Sequence, residues 1–348
     1  MRNIRKFHPG IYIKDSLEVL EMTAKEFSLR TGISERTLSS IINGNGDITF
    51  DIAYKLSLYF DNEPSTWMNL QTEYNTYLLE TIEEQRIKEE WNLIKTIKKY
   101  LNEHNYILES DTYDVIVKKC RKLVGVNSLL LLQNEDSFVN LKEQHTQKES
   151  DYFFQNFYIS LALKEARNKN HLPFNKKLLL ESLDEIRKMT NEEPNIFYPK
   201  LEDVFSKCGV SFVFIPYIPK SNIYGATKWF SKDNVMLAIS NRNERADLFW
   251  FTLFHEISHV LMEHKRVMLI NMNGIEDKEA DEMAANLLIN AKEWNDFVSK
   301  KDFTLESIKT FASIINIHPS IVLGRLQKEK RVPYDRFTKE LSVKYSIN

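Results

Sequence analysis

The chain has 348 residues, which is enough for two or three folding units that each bury a core. Lysine and arginine number 47 and aspartate and glutamate 49, so the net charge of −2 excludes a polycation that binds nucleic acid through overall charge. The hydrophobic share of 43% argues against wholesale disorder, and two cysteines are too few for a disulfide framework or a four-thiolate zinc site. Since neither a secretory signal nor a run of 18 apolar residues is found, we expect a cytoplasmic protein without membrane contact.

The first 75 residues read as a packed set of short helices. Thr23 has the chemistry of an N-cap, with Glu26 three residues later, and Gly32 is suited to end that helix. Ser34 can cap a second helix over residues 35–43. A helix, a tight glycine-containing turn and another helix together predict a helix-turn-helix unit.

Residues 22–70 resemble the HigA-type antitoxin branch of the helix-turn-helix repressors, in "RTGISERTLSSIINGN" and in "FDNEPSTWMNLQ". The resemblance implies that residues 35–43 form a recognition helix in the major groove of operator DNA, and that the protein binds as a homodimer. The side chains it implies for DNA contact are Glu35, Arg36, Thr37, Ser39, Ser40 and Asn43. The alternative is that these helices form a protein-docking module that has lost DNA binding. This alternative stays open because residues 1–75 carry 8 basic and 10 acidic side chains, a net negative charge.

The middle of the chain, residues 76–200, is rich in charge and in long apolar side chains. Its segment "IEEQRIKEEWNLIKTIKKYLNEH" has helical periodicity, with acidic residues early and basic residues late. We predict a helical connector that packs on the following domain. The aromatic cluster within residues 152–158 is expected to be core or interface rather than a cofactor site.

From Gly209 the pattern changes to short β-branched and aromatic runs bounded by glycine and proline. Three of them predict strands, over residues 210–218, 224–230 and 235–240. We expect the last of these, "VMLAIS", to be an edge strand that can hold an extended substrate. Asp247 is expected to cap the long apolar helix that follows.

That helix contains the spacing His255-Glu256-x-x-His259. Residues four apart share one helical face, so both imidazoles can bind one Zn²⁺, and Glu256 can act as the general base on a water molecule. Burying two histidines and a glutamate without a partner would be costly, which favours a metal site. The alternative is a core helix whose histidines are satisfied by other residues.

A third ligand is needed to complete such a site. A histidine-completed set is excluded, because Met262 and Lys265 stand where that class requires glycine and histidine. The segment "EDKEADEMAANLLI" predicts a second helix that supplies a carboxylate. Asp277 and Asp281 lie four apart on one face, so the first can bind the metal while the second accepts a hydrogen bond from a ligand imidazole.

Residues 200–330 resemble the ImmA/IrrE metallopeptidases through "GATKWF", "HEISHVLMEH", "EADEMAANLLI" and "IHPSIVLGRLQ". The family usually has glutamate at the ligand position occupied here by Asp277, and Glu276 stands beside it, so the choice between these two ligands stays open. The resemblance implies a regulatory protease that cuts a repressor of the helix-turn-helix kind. His318, in the last motif, either helps to stabilise an oxyanion or begins a helix.

Together these observations predict an α+β protein in three parts: an all-α helix-turn-helix domain (1–75), a helical connector (76–200) and a zincin-like peptidase domain with a small β-sheet (201–348). The predicted function is that of a zinc endopeptidase with a DNA-binding domain, which cleaves a repressor or antitoxin in stress, phage or toxin–antitoxin control. The alternative is an antitoxin-like repressor whose zincin domain only senses or scaffolds.

Overall fold

The computed structural model describes residues 6–134, 149–169, 172–263 and 275–345, with the backbone alone for residues 149–151 and 275–277. The chain divides into two compact units, Met1–Glu89 and Glu90–Asn348. Helices predominate, and a small three-stranded sheet lies in the second unit. The predicted α+β class is therefore confirmed.

From residue 6 onward, where the structure describes the first unit, all of its regular structure is helical. Its helices are α1 (Gly10–Val19), α2 (Ala24–Thr31), α3 (Glu35–Ile42), α4 (Phe50–Phe60) and α5 (Pro64–Ile94), the last of which runs past the boundary between the units.

Local capping signals set the ends of α2 and α3. Thr23 caps α2, its Oγ1 accepting a 3.2 Å hydrogen bond from the Glu26 backbone N–H, and Ser34 caps α3 by accepting a 3.1 Å bond from the Thr37 N–H. Gly32 ends α2 at a positive φ of 67°, a conformation that glycine adopts without a Cβ penalty. The predicted helix-turn-helix unit is thus present.

The second unit contains the sheet and the remaining helices. The helices are α6 (Lys98–Glu103), α7 (Tyr113–Val124), α8 (Glu149–Asn168), α9 (Lys176–Lys188), α10 (Pro194–Lys207), α11 (Ala246–Leu261), α12 (Ile275–Leu288), α13 (Ala291–Ser299), α14 (Leu305–Ile314), α15 (Pro319–Lys328) and α16 (Thr338–Leu341). The strands are β1 (Val210–Phe214), β2 (Gly225–Trp229) and β3 (Val235–Ile239).

The predicted connector does not form a compact unit of its own, since residues 90–200 belong to the same unit as the sheet. The predicted domain limits at residues 75 and 200 stay a prediction. The aromatic side chains of α8, Phe153, Phe154, Phe157 and Tyr158, are buried core.

The sheet has the order β1-β3-β2, with β3 parallel to β1 and antiparallel to β2. The prediction that residues 235–240 form an edge strand is therefore wrong: β3 is the central strand, and β2 is an edge. All five residues of β3 are buried, and helices α8 and α11 both pack against this strand.

Helix α11 packs on β2 and β3 and also contacts α12 and α15. Its apolar side, with Trp250, Leu253, Phe254 and Ile257, is fully buried in the main core.

The prediction that Asp247 is the N-cap of α11 is wrong by two positions, because Arg245 is the N-cap. The helix begins at Ala246, so Asp247 lies within its first turn, where the carboxylate accepts hydrogen bonds of 3.0 and 2.6 Å from the Arg245 guanidinium.

Across the described residues, every helix is too short or too polar to traverse a lipid bilayer.

Candidate functional site

Two histidines of α11 face each other one turn apart. The Nε2 atoms of His255 and His259 are 3.0 Å apart, and the two rings are nearly perpendicular. The His259 side chain is buried and that of His255 is 13% exposed. Zinc binds imidazole nitrogens at about 2.0–2.1 Å, so two Nε2 atoms converging at this separation suit a shared zinc ion.

The other ring nitrogen of His255 is paired with a carboxylate of α12. His255 Nδ1 lies 2.9 Å from Asp281 Oδ1, the contact expected from the sequence. A carboxylate on Nδ1 holds the proton there and turns Nε2 toward a metal, as is usual for zinc-binding histidines. Burial would raise the pKa of the Asp281 carboxyl, but the hydrogen bonds from His255 and Lys328 outweigh it and keep that pKa below its ordinary value.

Glu256 lies beside the histidine pair and is held by β2. The Thr227 hydroxyl donates a 2.6 Å hydrogen bond to Glu256 Oε2, and both side chains are buried. Gly225 leaves room for the same carboxylate, because a Cβ at this position would come within 2.7 Å of Glu256 Oε1 and Cγ. The edge strand therefore orients the predicted general base.

The predicted third ligand lies outside the described side chains. Asp277 and Glu276 belong to α12, for which the backbone alone is described at these positions. Further along α12, Ala280 and Ala284 are fully buried while Glu279 and Glu282 are exposed, which is the orientation expected from the sequence. Within the described part of the chain, no three possible metal ligands come together. The two histidines fit zinc, and the carboxylate ligand stays a prediction.

His318 is the N-cap of α15. The ring Nδ1 of His318 accepts a 3.2 Å hydrogen bond from the Ser320 backbone N–H. The backbone N–H of His318 donates a 3.1 Å hydrogen bond to Thr190 Oγ1. Burial lowers the pKa of the imidazole, which matches an Nδ1 that accepts a hydrogen bond. Of the two roles left open for His318, these contacts support the helix start and give no support to an oxyanion role.

Helix α15 also braces the two helices of the site. Gly324 lies against the Asp247 side chain of α11, and a Cβ there would come within 2.8 Å of Asp247 Oδ2. Arg325 donates from Nη1 to the carbonyls of Ala285 and Ile289, 2.9 and 3.1 Å away, and so satisfies the C-terminal end of α12. Its guanidinium stacks 4.4 Å above the ring of Trp294.

The predicted recognition helix in the first unit presents one polar side. Leu38 and Ile41 of α3 are buried in the core. Among the six predicted contact residues, the exposed ones are Glu35, Arg36, Ser39 and Asn43. Thr37 and Ser40 are half-buried: Thr37 Oγ1 lies 2.7 Å from Ser34 Oγ, and Ser40 packs beside Gly46.

Sequence comparison assigns both regions. The family described as "Helix-turn-helix" matches residues 13–67, and the "IrrE N-terminal-like domain" matches residues 208–323. The chain is a helix-turn-helix protein with an IrrE N-terminal-like domain.

Curated relatives of this helix-turn-helix protein match about a quarter of the chain or less. The virulence-associated protein A' of Dichelobacter nodosus is 38% identical over 69 residues, which are 20% of this chain and 60% of that protein. The HTH-type transcriptional regulator YddM of Escherichia coli K12 is 33% identical over 67 residues (19% and 71%). The regulator YbaQ of the same strain is 30% identical over 94 residues (27% and 81%).

Solved structures similar to the helix-turn-helix protein include a HigA-family addiction module antidote protein from Coxiella burnetii, with 30% identity and a TM-score of 0.24. The match covers 25% of this chain and 96% of that one. A Pseudomonas aeruginosa protein solved in complex with its operator DNA shows 29% identity and a TM-score of 0.23, covering 25% and 92%.

Four residues with a place in the site were missed from the sequence: Gly225, Thr227, Arg325 and Lys328. Two of these lie in "GATKWF" and the other two in or next to "IHPSIVLGRLQ", the segments that carry the family resemblance. No signal in the sequence itself connects Thr227 with Glu256, which lies 29 residues further along the chain.

Proposed function

We propose that this chain is a regulatory zinc-dependent endopeptidase with a DNA-binding domain, which cleaves a transcriptional repressor or antitoxin in the cytoplasm. One observation carries the proposal. In an IrrE N-terminal-like domain, the Nε2 atoms of His255 and His259 converge within 3.0 Å, and Glu256 lies beside them. Histidine, glutamate and histidine in this order on one helix form the site of zinc peptidases.

The chemistry follows from the residues that surround the site. His255, His259 and Asp277 would hold zinc, which when bound supplies Lewis-acid activation of a peptide carbonyl and of water. Glu256 takes the proton of the attacking water and passes it to the leaving amine as the peptide bond breaks. The Thr227 hydroxyl keeps the Glu256 carboxylate in place, and Asp281 keeps the proton of His255 on Nδ1.

The edge strand β2 supports a mode of substrate binding. Ser240 donates to the Tyr224 carbonyl and Phe230 donates to the Asn234 carbonyl, so the even-numbered residues of this strand pair with β3. The backbone groups of Gly225 and Thr227 accordingly point away from β3. An extended substrate that pairs with them runs past Glu256, which gives β2 the role that the sequence analysis assigned to β3.

For the first unit, we propose binding to double-stranded operator DNA as a homodimer. The support is the exposed polar side of α3, with Arg36, Ser39 and Asn43, and the similarity to a protein solved with its operator. Arginine suits guanine and asparagine suits adenine in the major groove.

A second function is favoured by the names of the relatives, which are transcriptional regulators. In this reading the chain is an antitoxin-like repressor, and its zincin domain is a non-catalytic sensor or scaffold. Glu256→Gln separates the two functions, since it removes the proton-accepting carboxylate and retains the size of the side chain. We expect this variant to keep stoichiometric zinc and its fold but to lose cleavage of a co-expressed helix-turn-helix repressor. Equal cleavage by both forms, or none by the unsubstituted chain across such repressors, contradicts the peptidase function.

A further inference from the structure

Lys328 extends the hydrogen-bonded pair of His255 and Asp281 by one more group. Its Nζ lies 2.8 Å from Asp281 Oδ2, while the other oxygen of this carboxylate lies 2.9 Å from His255 Nδ1. Ammonium, carboxylate and imidazole therefore form a continuous chain that ends at the Nε2 atom facing His259.

The ammonium group is held from a second direction. Lys328 Nζ lies 4.3 Å from the centre of the Phe251 ring, a distance at which a cation is attracted to an aromatic face. Phe251 is on α11, one turn before His255, and Asp281 is on α12. The last residue of α15 thus contacts both helices of the site.

Exposure alone would give this ion pair little importance. The Lys328 side chain is 59% exposed and that of Asp281 is 40% exposed, and ion pairs with this exposure usually contribute little to stability. Asp281, however, has two oxygens, and its carboxylate can rotate about χ2. With Lys328 on Oδ2, the carboxylate plane is fixed such that Oδ1 lies against His255 Nδ1.

We propose that Lys328 is a positioning residue of the metal centre, which acts through Asp281 on His255. It keeps the Asp281 carboxylate oriented, and the carboxylate keeps the His255 proton on Nδ1 and Nε2 turned toward the metal. The inference rests on the zinc site of the proposed function. A purely structural role is the alternative, since a lysine in the last turn of a helix also stabilises the helix dipole.

A double-mutant cycle on zinc affinity separates these roles. Zinc binding is measured at one pH by competition with a chromophoric chelator, for the full chain, Lys328→Met, Asp281→Asn and the double variant. We expect Asp281→Asn to weaken zinc binding about 10–100-fold, the usual effect of removing a residue that orients a metal ligand. For Lys328→Met we expect a smaller loss, because this residue acts one contact further from the ligand. In the Asp281→Asn background, Lys328→Met should have no further effect, because its action passes through that carboxylate.

Matched variants complete the test. Lys328→Arg retains the charge and should retain the affinity, and Lys309→Met, at an exposed lysine of α14, should not change it. The inference is overturned if Lys328→Met reduces zinc affinity equally in the unsubstituted and the Asp281→Asn proteins, or reduces it in neither. The proposed zinc site is not affected by either of these results. A fall in the thermal stability of the zinc-free protein with unchanged zinc affinity assigns Lys328 to the structural role. If the unsubstituted chain binds no zinc, the proposed function fails first and the inference fails with it.

Discussion

Thr227 Oγ1 and Glu256 Oε2 are 2.6 Å apart and join the edge strand to the helix that carries the histidine pair. Glu256 is 2% exposed, so its carboxylate depends on protein donors for the solvation that water would otherwise provide. A hydroxyl donor at this distance stabilises the charged form and fixes the carboxylate plane. The proposed general base is therefore held in position by a residue of the sheet.

Replacing Thr227 by valine keeps the shape of the side chain and removes the donor. We expect the free energy of unfolding to fall by about 1–3 kcal/mol, because a buried charged acceptor loses its partner. Thr227→Ser keeps the hydroxyl and should lose less. Urea denaturation of the three proteins gives the comparison, and equal midpoints for valine and threonine would show that the hydrogen bond is energetically unimportant.

The third ligand can be assigned by two neighbouring substitutions. Side chains of consecutive helical residues point about 100° apart, so Glu276 and Asp277 cannot both face the histidines. Asp281 faces His255, and the position one turn before it on the same side is Asp277. We expect Asp277→Ala to lose most bound zinc and Glu276→Ala to keep it, as measured by metal content after dialysis. The reverse pattern would mean that Glu276 is the ligand.

Much of this fold could be predicted because its signals are local. The caps Thr23 and Ser34, the turn at Gly32 and the four-residue spacing of His255 and His259 each depend on neighbours within one or two turns. Such short-range signals also located the three strands to within a few residues.

Contacts between distant parts of the chain could not be predicted in this way. The order of the sheet depends on β3 pairing with both β1 and β2, and a run of buried residues does not reveal its neighbours. Thr227 lies 29 residues from Glu256, and Lys328 lies 47 residues from Asp281. Before the fold is known, nothing distinguishes this threonine or this lysine from others of their kind.

DNA binding by α3 can be tested with Arg36 and Asn43, which are both exposed on its polar side. Arg36→Ala combined with Asn43→Ala should weaken operator binding by about 1–3 kcal/mol for each side chain that hydrogen-bonds a base, with unchanged zinc content. Lys14→Ala, an exposed substitution on α1, serves as the control. Fluorescence anisotropy over a range of salt concentrations measures the effect. If the unsubstituted chain shows no salt-dependent binding to its promoter DNA, the unit is a docking module.

His318 should make the stability of the second unit pH-dependent. Burial lowers its pKa in the folded state below the ordinary value of 6.5, so the unfolded chain takes up this proton first as the pH falls. The neutral, buried imidazole therefore makes its full contribution to the free energy of unfolding above pH 6.5. This contribution is lost as the pH falls from 6.5 toward the lowered pKa. His318→Asn, which keeps an N-cap acceptor, should flatten this dependence between about pH 7 and pH 5 in urea denaturation. If the free energy of unfolding depends on pH in the same way for the unsubstituted and the His318→Asn proteins, this dependence does not come from His318.

Helix α15 contributes no predicted metal ligand, yet its contacts affect how much of the chain a fragment that tests the proposed activity has to contain. The IrrE N-terminal-like match ends at residue 323, in the middle of this helix. Gly324, Arg325 and Lys328, which touch Asp247, the end of α12 and Asp281, all lie beyond that limit. A fragment cut at residue 323 would keep the histidine motif and the whole of α12 without these contacts, so a fragment made to test the proposed peptidase function has to extend past the limit drawn by sequence similarity.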